Sequence, residues 1–388
     1  MKQNIPRRLI TLLPLLSALL FCVVLLGCDQ EPLFFDIATE YPPIKPVIKG
    51  HPTQIVATTS SPSPWEGKLY VTNGDIWVYN AAPGQCYWAR MYNPSGTVRE
   101  LAVAGNMLFA LDSDGKIYRF NDPIWESITV AVGAGKPERI FGAGTILFAG
   151  SRTGAVGKDG YCVLAMNAAG TAMNKIIENT SLLMGAAYDG SVNYYLGTNG
   201  KGIYSPTNST TVLDPDTDVI HEASIIGLVA HKTIIVGVTA EGHIVYESTP
   251  GTFTTVSGYS HQFTGALASW TQDGTNYLLL VGLQRSSNPF GYGYRELVWK
   301  SGDNFNTNLQ LYTPGENPIS SVTTDLQYIS AIGKHPINHL FVMPYDADPA
   351  IPRADADGRP IIFASTVKNG LWSYRTRSDK AQWNGESN

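Results

Sequence analysis

The chain has 388 residues, of which 44% are apolar and 15% are charged, so a disordered or highly solvated protein is excluded. Its 38 glycines, 24 prolines, 20 tyrosines and 8 tryptophans are typical of a turn-rich, aromatic β protein and not of a helical bundle. The formal net charge of −5 provides no basic surface of the kind that nucleic acid requires, so no nucleic-acid partner is expected.

Residues 1–27 predict a lipoprotein signal peptide. Basic residues precede an apolar run from Leu9 to Leu26, which is the pattern of an export signal. The run ends in Leu25-Leu26-Gly27-Cys28, which resembles the bacterial lipobox. The resemblance implies that Cys28 carries acyl chains, including palmitate, which anchor the protein to the cell membrane or the outer membrane, with the rest in the periplasm or at the cell surface. An uncleaved transmembrane anchor is the alternative, since the run is nearly long enough to span a bilayer.

Residues 28–52 are interpreted as the lipidated cysteine followed by a proline-rich tether. Proline favours extended backbone. The prolines of this segment are Pro32, Pro42, Pro43, Pro46 and Pro52. Residues 53–388 are then predicted to form the folded domain.

One pattern repeats along the domain about every forty residues: a polar residue, a glycine and a short apolar or aromatic strand. The glycine predicts a tight hairpin turn with positive φ. The copies are Asn73-Gly74, Asp114-Gly115, Asp159-Gly160, Asn199-Gly200, Glu241-Gly242, Asn369-Gly370 and, more weakly, Tyr292-Gly293.

Two further strands precede most of these turns. The nearer strand is apolar, as in 108–110, and the farther strand is rich in small residues, as in 101–105, 140–144 and 226–230. Small side chains suit innermost strands that converge on an axis, and a more polar fourth strand follows some hairpins. This pattern predicts an all-β fold, a seven-bladed β-propeller of four-stranded antiparallel blades. A pair of β-sandwiches is the competing interpretation.

Two cysteines remain in the domain once Cys22 leaves with the signal and Cys28 carries lipid. Cys86 and Cys162 fall on different repeats, at a separation unsuited to disulfide geometry. They are therefore predicted to be two separate buried thiols.

The longest hairpin, 285–294, is the predicted contact surface. Insertions in a repeat array form loops, and loops on a rigid scaffold usually bind partners. The candidate binding residues are Arg285, Phe290, Tyr292 and Tyr294, because tyrosine and arginine dominate protein-binding hot spots.

Short segments resemble known propeller families. Gly84 followed by Trp88 is similar to a quinoprotein-type repeat, and 247–253 and 301–305 are similar to the Asp-boxes of sialidase-type propellers. Across the whole chain, the likeness is to bacterial propeller lipoproteins of cell-envelope assembly or recognition.

No ordered set of catalytic residues or cofactor ligands stands out, so no catalytic residue, no cofactor and no metal is predicted. The arginines, Arg139 among them, are interpreted as surface residues. Two acidic runs are weak calcium candidates, because Ca²⁺ prefers alternating oxygen ligands. The candidate ligands are Asp214, Asp216, Asp218, Asp355 and Asp357.

These features favour a membrane-anchored lipoprotein whose propeller binds a protein or glycan partner in the bacterial cell envelope without catalysis. An envelope-assembly scaffold is one alternative. A hydrolase or lyase acting on a sugar or lactone in the central channel is another, disfavoured because the innermost strands consist mostly of alanine, glycine, valine and isoleucine.

Overall fold

The β-strand is the regular element throughout the part of the chain that the structure describes, as the composition predicted. The structure, a computed structural model, describes residues 48–58, 68–82, 85–154, 160–231, 234–256, 262–272, 276–283, 293–300, 309–311, 336–343, 361–377 and 380–385. None of these segments forms a helix with the length and apolarity needed to cross a membrane.

The described strands follow one another in antiparallel groups of four, numbered 1 to 7 along the chain. Group 1 has β1 (Val56–Ala57), β2 (Leu69–Thr72), β3 (Ile76–Ala82) and β4 (Gln85–Met91); group 2 has β5 (Val98–Ala104), β6 (Met107–Asp112), β7 (Ile117–Asn121) and β8 (Ile124–Val130). Group 3 has β9 (Lys136–Ala143), β10 (Ile146–Arg152), β11 (Tyr161–Met166) and β12 (Ala172–Thr180); group 4 has β13 (Leu183–Tyr188), β14 (Tyr194–Thr198), β15 (Gly202–Tyr204) and β16 (Val219–His221).

The remaining groups have the same form. Group 5 has β17 (Ile225–His231), β18 (Ile234–Thr239), β19 (Ile244–Thr249) and β20 (Thr252–Thr255); group 6 has β21 (Phe263–Gln272), β22 (Asn276–Leu283), β23 (Gly293–Lys300) and β24 (Leu309–Leu311). Group 7 has β25 (Ile337–Met343), β26 (Ile361–Thr366), β27 (Gly370–Arg377) and β28 (Lys380–Gly385). Strands pair in chain order within each group, and a parallel pairing of β8 with β12 joins groups 2 and 3.

The glycine turns join the second strand of a group to the third, as predicted. Five of the predicted glycines have positive φ: Gly74, Gly115, Gly200, Gly242 and Gly370. A buried polar residue at the end of the second strand closes the turn. The Thr239 hydroxyl accepts a hydrogen bond from the His243 amide at 3.2 Å, and the Thr366 hydroxyl donates one to the Gly370 carbonyl at 2.8 Å. The glycine was predicted from the sequence, whereas this polar residue was not.

Apolar side chains of each group pack against those of a neighbouring group. Phe109 of group 2 and Leu147 of group 3 share one buried cluster. Between the last group and the first, the rings of Phe363 and Trp88 lie 6.0 Å apart, edge to face. The groups therefore follow one another around a ring, which differs from the stacked layers of a β-sandwich.

Residues 48–55 lie where the ring closes. The Ile48 side chain is fully buried, and the Ile48 carbonyl accepts a hydrogen bond from the Leu371 amide at 3.0 Å. The Ser365 hydroxyl donates to the Thr53 carbonyl at 2.9 Å. Residues 48–52, the last part of the predicted tether, thus pack against group 7.

Small residues in the first strands are explained by how closely neighbouring groups approach. A Cβ atom on Gly142 of β9 would lie 1.7 Å from the Val103 carbonyl oxygen of β5. No side chain fits at that distance, so glycine is required there.

Cys162 is a buried free thiol in β11, as predicted. Its thiol lies 3.3 Å from the Ala134 carbonyl oxygen, and burial raises its pKa to about 11. Cys162 is therefore a packing residue with little thiolate at neutral pH. Cys86 lies in β4 of group 1.

Candidate functional site

The first strands of groups 1 to 7 line one central cavity of about 920 Å³. Glycine, alanine and aliphatic side chains form much of its wall, as the small-residue strands predicted. The cavity is also lined by polar side chains, and its charged ones among the described residues come from groups 2 and 3.

A β-bulge recurs in these first strands and determines which residues reach the cavity. The bulged residue leaves the register with the second strand, for example Arg99 in β5, Glu138 in β9 and Asn338 in β25. Bulges re-aim the side chains beside them. The residues that directly follow the bulges, and that all line the cavity, are Glu100, Arg139, Gly185, Gly227, Leu267 and His339.

Glu100 and Arg139 form an ion pair between groups 2 and 3. The Arg139 Nε donates to Glu100 Oε1, and the Ile140 amide donates to Glu100 Oε2 at 2.8 Å. Glu100 is 8% exposed. Burial raises the pKa of Glu100, while the Arg139 charge and the Ile140 amide oppose that rise. The charged form of Glu100 is therefore stabilised by Arg139, and leaving this buried carboxylate unpaired would cost folding free energy.

The other guanidinium nitrogens of Arg139 face the cavity wall. Its Nη1 lies 3.7 Å from the Met184 sulfur, and the guanidinium carbon lies 5.0 Å from the centroid of the Phe141 ring. The hydrogen bond to Glu100 and the cation–π contact with the Phe141 ring together fix the plane of the Arg139 guanidinium.

His339 contributes a neutral imidazole to the same cavity. Its Nδ1 accepts a hydrogen bond from the Ile55 amide at 3.2 Å. Burial, together with the positive charge of Arg139, lowers the pKa of His339 to about 4. The ring is therefore uncharged at neutral pH, and because Nδ1 accepts, its proton lies on Nε2.

The number of carboxylates in the cavity bears on the predicted alternative of a sugar hydrolase. Among the described lining residues Glu100 is the only carboxylate, and it is held by Arg139. A glycosidase of the usual type needs two carboxylates across the scissile bond. The alternative of a sugar hydrolase in the channel gains no support from this geometry.

The predicted small-residue strands start one residue too late to include these side chains. The small-residue stretches 101–105 and 140–144 begin directly after Glu100 and Arg139. Arg139, interpreted as a surface residue, lies in the cavity with 25% of its side chain exposed, so that interpretation is wrong. Opposite charges at equivalent positions of consecutive repeats were the signal that was available.

A second concave site crosses groups 3, 4 and 5 on the face formed by the turns between second and third strands. This turn-face groove has a volume of about 1240 Å³. It is lined by Tyr161, Leu182, Asn199, Gly200, Lys201, Pro215, Asp216, Val219, His221, Glu222, Ala223, Ser224, Thr239, Glu241, His243, Val245 and Thr255.

The turn-face groove has a net negative charge. Among the described residues that line it, Lys201 is the single lysine, and the carboxylates are Asp216, Glu222 and Glu241. Lys201 Nζ pairs with Asp216 Oδ1 at 2.9 Å. Burial lowers the pKa of His221, so this imidazole adds no positive charge at neutral pH.

Most of the sequence-predicted site residues lie outside the described residues. These are Cys28, Arg285, Phe290, Tyr292, Asp355 and Asp357. Tyr294 lies in β23, the third strand of group 6. The rest of the predicted contact hairpin falls in the sequence between β22 and β23, outside the described residues.

The three calcium candidates that are described make hydrogen bonds within their own loop. Asp214 Oδ1 accepts from the Asp216 amide at 2.8 Å, and Asp218 Oδ2 accepts from the Asp214 amide at 2.7 Å. The described residues contain no group of three His, Cys, Asp or Glu side chains that could hold a metal ion.

Many solved structures resemble this chain in fold. A structure of YCF48 bound to D1 peptide is similar with a TM-score of 0.50 at 11% sequence identity, covering 87% of this chain and 96% of that one. A structure of the Mitotic Checkpoint Complex is similar with a TM-score of 0.50 at 12% identity, covering 84% of this chain and 90% of that one. No protein-family model and no curated protein matches the sequence. Both neighbours are β-propeller-like, and a β-propeller fold is supported for this chain, whose four-stranded groups are hereafter called blades.

Proposed function

We propose that this chain is a non-enzymatic binding module of the bacterial cell envelope, whose turn-face groove receives a segment of a protein partner. In this proposal the described blades belong to a seven-bladed ring, and acyl chains on Cys28 anchor the molecule to a membrane. The observation that carries the proposal is the groove itself, a polar concavity on short turns that three adjacent blades hold rigidly.

The groove is well suited to an extended segment that carries basic or polar side chains. Three carboxylates against one lysine favour positive charge in a partner. Two of the three groups that form the groove are joined by a hydrogen bond, because the Ser224 hydroxyl, directly before group 5, donates to Asn199 Oδ1 of group 4 at 2.5 Å. A surface that is already ordered loses little conformational entropy on binding.

The fold neighbours are compatible with this use of a propeller. One of them is YCF48 bound to D1 peptide, and another belongs to the Mitotic Checkpoint Complex. One neighbour of this fold is thus bound to a peptide, which supports the same kind of ligand for this chain.

Site-specific crosslinking in cells tests the groove. A photoreactive amino acid at Glu241, which lies in the groove, is expected to give a discrete adduct with one protein. The same amino acid at Val132, which is 98% exposed and outside the groove, should give none. Adding the charge reversal Glu222→Lys to the variant that carries the photoreactive amino acid at residue 241 should abolish capture, because it turns the net charge of the described groove residues positive.

The proposal is contradicted if no protein adduct forms at Glu241, or if Glu241 and Val132 give equal adducts. A glycan ligand in the groove would also contradict it. The identity of the adduct also separates the two envelope roles. An outer-membrane protein-insertion complex would indicate an assembly scaffold, whereas a host or matrix protein would indicate recognition.

Membrane anchoring is tested separately through Cys28. The variant Cys28→Ala removes the sulfur that the lipobox resemblance assigns to acylation, so labelled palmitate should no longer be incorporated. The variant should also leave the detergent-dependent membrane fraction. Full retention of both label and membrane association would contradict lipidation at this residue.

A further inference from the structure

We propose that the central cavity is a second binding site, separate from the turn-face groove, that takes a small organic carboxylate on Arg139 and His339. The proposal does not depend on the function of the groove. It rests on donors that the fold leaves without strong acceptors in a cavity large enough for a ligand.

Two guanidinium nitrogens of Arg139 lack a strong hydrogen-bond acceptor among the described residues. Nε is used by Glu100, while Nη1 faces only the Met184 thioether at 3.7 Å, which is a weak acceptor. Nη2 has no hydrogen-bond acceptor among the described residues. These two nitrogens form the edge of the guanidinium that binds carboxylates in a bidentate manner.

The guanidinium is held in place before a ligand arrives. Glu100 fixes it at Nε and is itself fixed by the Ile140 amide at 2.8 Å, while the Phe141 ring covers one face at 5.0 Å. Because the side chain is already ordered, binding has little further rotamer entropy to lose. A salt bridge that only joined two blades would not require the free edge to face a cavity.

His339 supplies a second donor in the same cavity. Its Nδ1 is occupied by the Ile55 amide, so Nε2 carries the proton of the neutral ring. Among the described residues, Nε2 has no hydrogen-bond acceptor. Arg139 and His339 occupy equivalent positions after the bulges of β9 and β25, and they therefore present their donors at the same level of the cavity.

Charge and space both favour an anion. Among the described lining residues, the charged ones are Arg99, Arg139 and Glu100, a net positive set in a chain whose formal charge is −5. At the equivalent positions, blades 4 and 5 have Gly185 and Gly227, where a Cβ atom would lie 3.0 Å from Leu228 and 2.1 Å from the Gly265 carbonyl oxygen, so close packing of the blades requires glycine there. A volume of about 920 Å³ is within the range of small-molecule sites, and its apolar walls suit a ligand with an apolar body.

Calorimetric titration of the full chain in detergent tests the site. The probes are acetate, succinate and phenylacetate, with phenylacetamide as the neutral match for phenylacetate. Phenylacetate is expected to bind at least about tenfold more tightly than phenylacetamide, because only the carboxylate makes charge-assisted bonds. If none of the three carboxylates binds, or if phenylacetamide binds as well as phenylacetate, the proposal is wrong.

Two paired substitutions locate the site. Glu100→Gln with Arg139→Gln removes both charges together, so no buried carboxylate is left unpaired, and carboxylate binding should fall at least about tenfold. The matched control is Glu138→Gln with Arg152→Gln, which removes a surface ion pair with 2.8 Å between Arg152 Nε and Glu138 Oε1. Like Arg139, Arg152 also lies over an aromatic ring, with its guanidinium carbon 5.3 Å from the Tyr161 ring centroid. Binding should be unchanged in the control, and equal binding by the two double variants would overturn the proposal.

A third variant covers the case in which the first double variant does not fold. Arg139→Lys keeps the positive charge and the pairing with Glu100 but loses the two-nitrogen edge. Its near-ultraviolet circular dichroism should match the unsubstituted protein while phenylacetate binding falls. Undiminished binding by Arg139→Lys would exclude bidentate recognition, and unchanged binding by Glu241→Lys would show that the two sites are independent.

Discussion

The substitution Ile48→Ala should destabilise the propeller by about 3 kcal/mol, although residue 48 falls in the predicted tether. The Ile48 side chain is fully buried in a cluster that contains Trp88, Phe363 and Leu371. Truncation to alanine removes three carbon groups at about 0.8 kcal/mol each, and the cavity left behind adds to the cost. Urea unfolding followed by tryptophan fluorescence measures the change, with Trp88 reporting from the same cluster.

The control for this experiment is Val132→Ala. Val132 is 98% exposed, so its truncation should change the free energy of unfolding by less than about 0.5 kcal/mol. If Ile48→Ala falls within that same range, the contacts of residues 48–55 with the last blade contribute nothing to stability. The ring would then close without this segment, and the tether would extend through residue 52.

Three further outcomes follow from the cavity and its strands. The free energy of unfolding should be highest above pH 6.5 and fall by up to about 3 kcal/mol as the pH drops toward 4. The reason is that folding lowers the pKa of His339, so acid must charge a buried ring. His339→Asn should flatten this pH dependence in thermal melts. Arg139→Gln alone should cost about 3–5 kcal/mol in urea unfolding, more than its combination with Glu100→Gln, because it leaves a buried carboxylate unpaired. Gly142→Ala should prevent recovery of folded protein, since its Cβ would lie 1.7 Å from the Val103 carbonyl oxygen.

The architecture of the blades was predictable because it depends on features that recur. A turn glycine such as Gly242 and a small-residue strand such as 226–230 must appear in each repeat if blades are to be alike. The structure places them at a positive-φ turn and in β17. Local patterns of this kind are visible in a single sequence, since each is set by backbone conformation or by space within one blade.

The closure of the ring was not predictable, because it depends on contacts between distant parts of the chain. Ser365 bonds to the Thr53 carbonyl across 312 residues, and no local pattern signals such a pairing. Pro46 and Pro52 favour extended backbone equally in a free tether and in a docked segment. Burial of Ile48 distinguishes the two, and burial is a property of the folded ring.

The turn-face groove was missed for a different reason. Sequence reasoning looked for unusual loops and selected 285–294, whereas the groove is formed by ordinary short turns such as 199–201 and 240–243. Each of these turns resembles the others in sequence. Concavity arises from how three blades sit side by side, which no single repeat reveals.

The cavity residues show where chemistry should be sought in a repeat protein. A residue type that recurs at one position in all repeats is explained by the needs of the fold, as with the turn glycines. The position after the first-strand bulge does not recur in this way, since it is Glu100, Arg139 and His339 in three blades and Gly185 and Gly227 in two others. A charged side chain in the crowded centre costs desolvation free energy, and the fold is built without one in blades 4 and 5. The fold therefore does not require the charges of Glu100 and Arg139, and their placement in one cavity with the neutral donor His339 is what the proposed binding site requires.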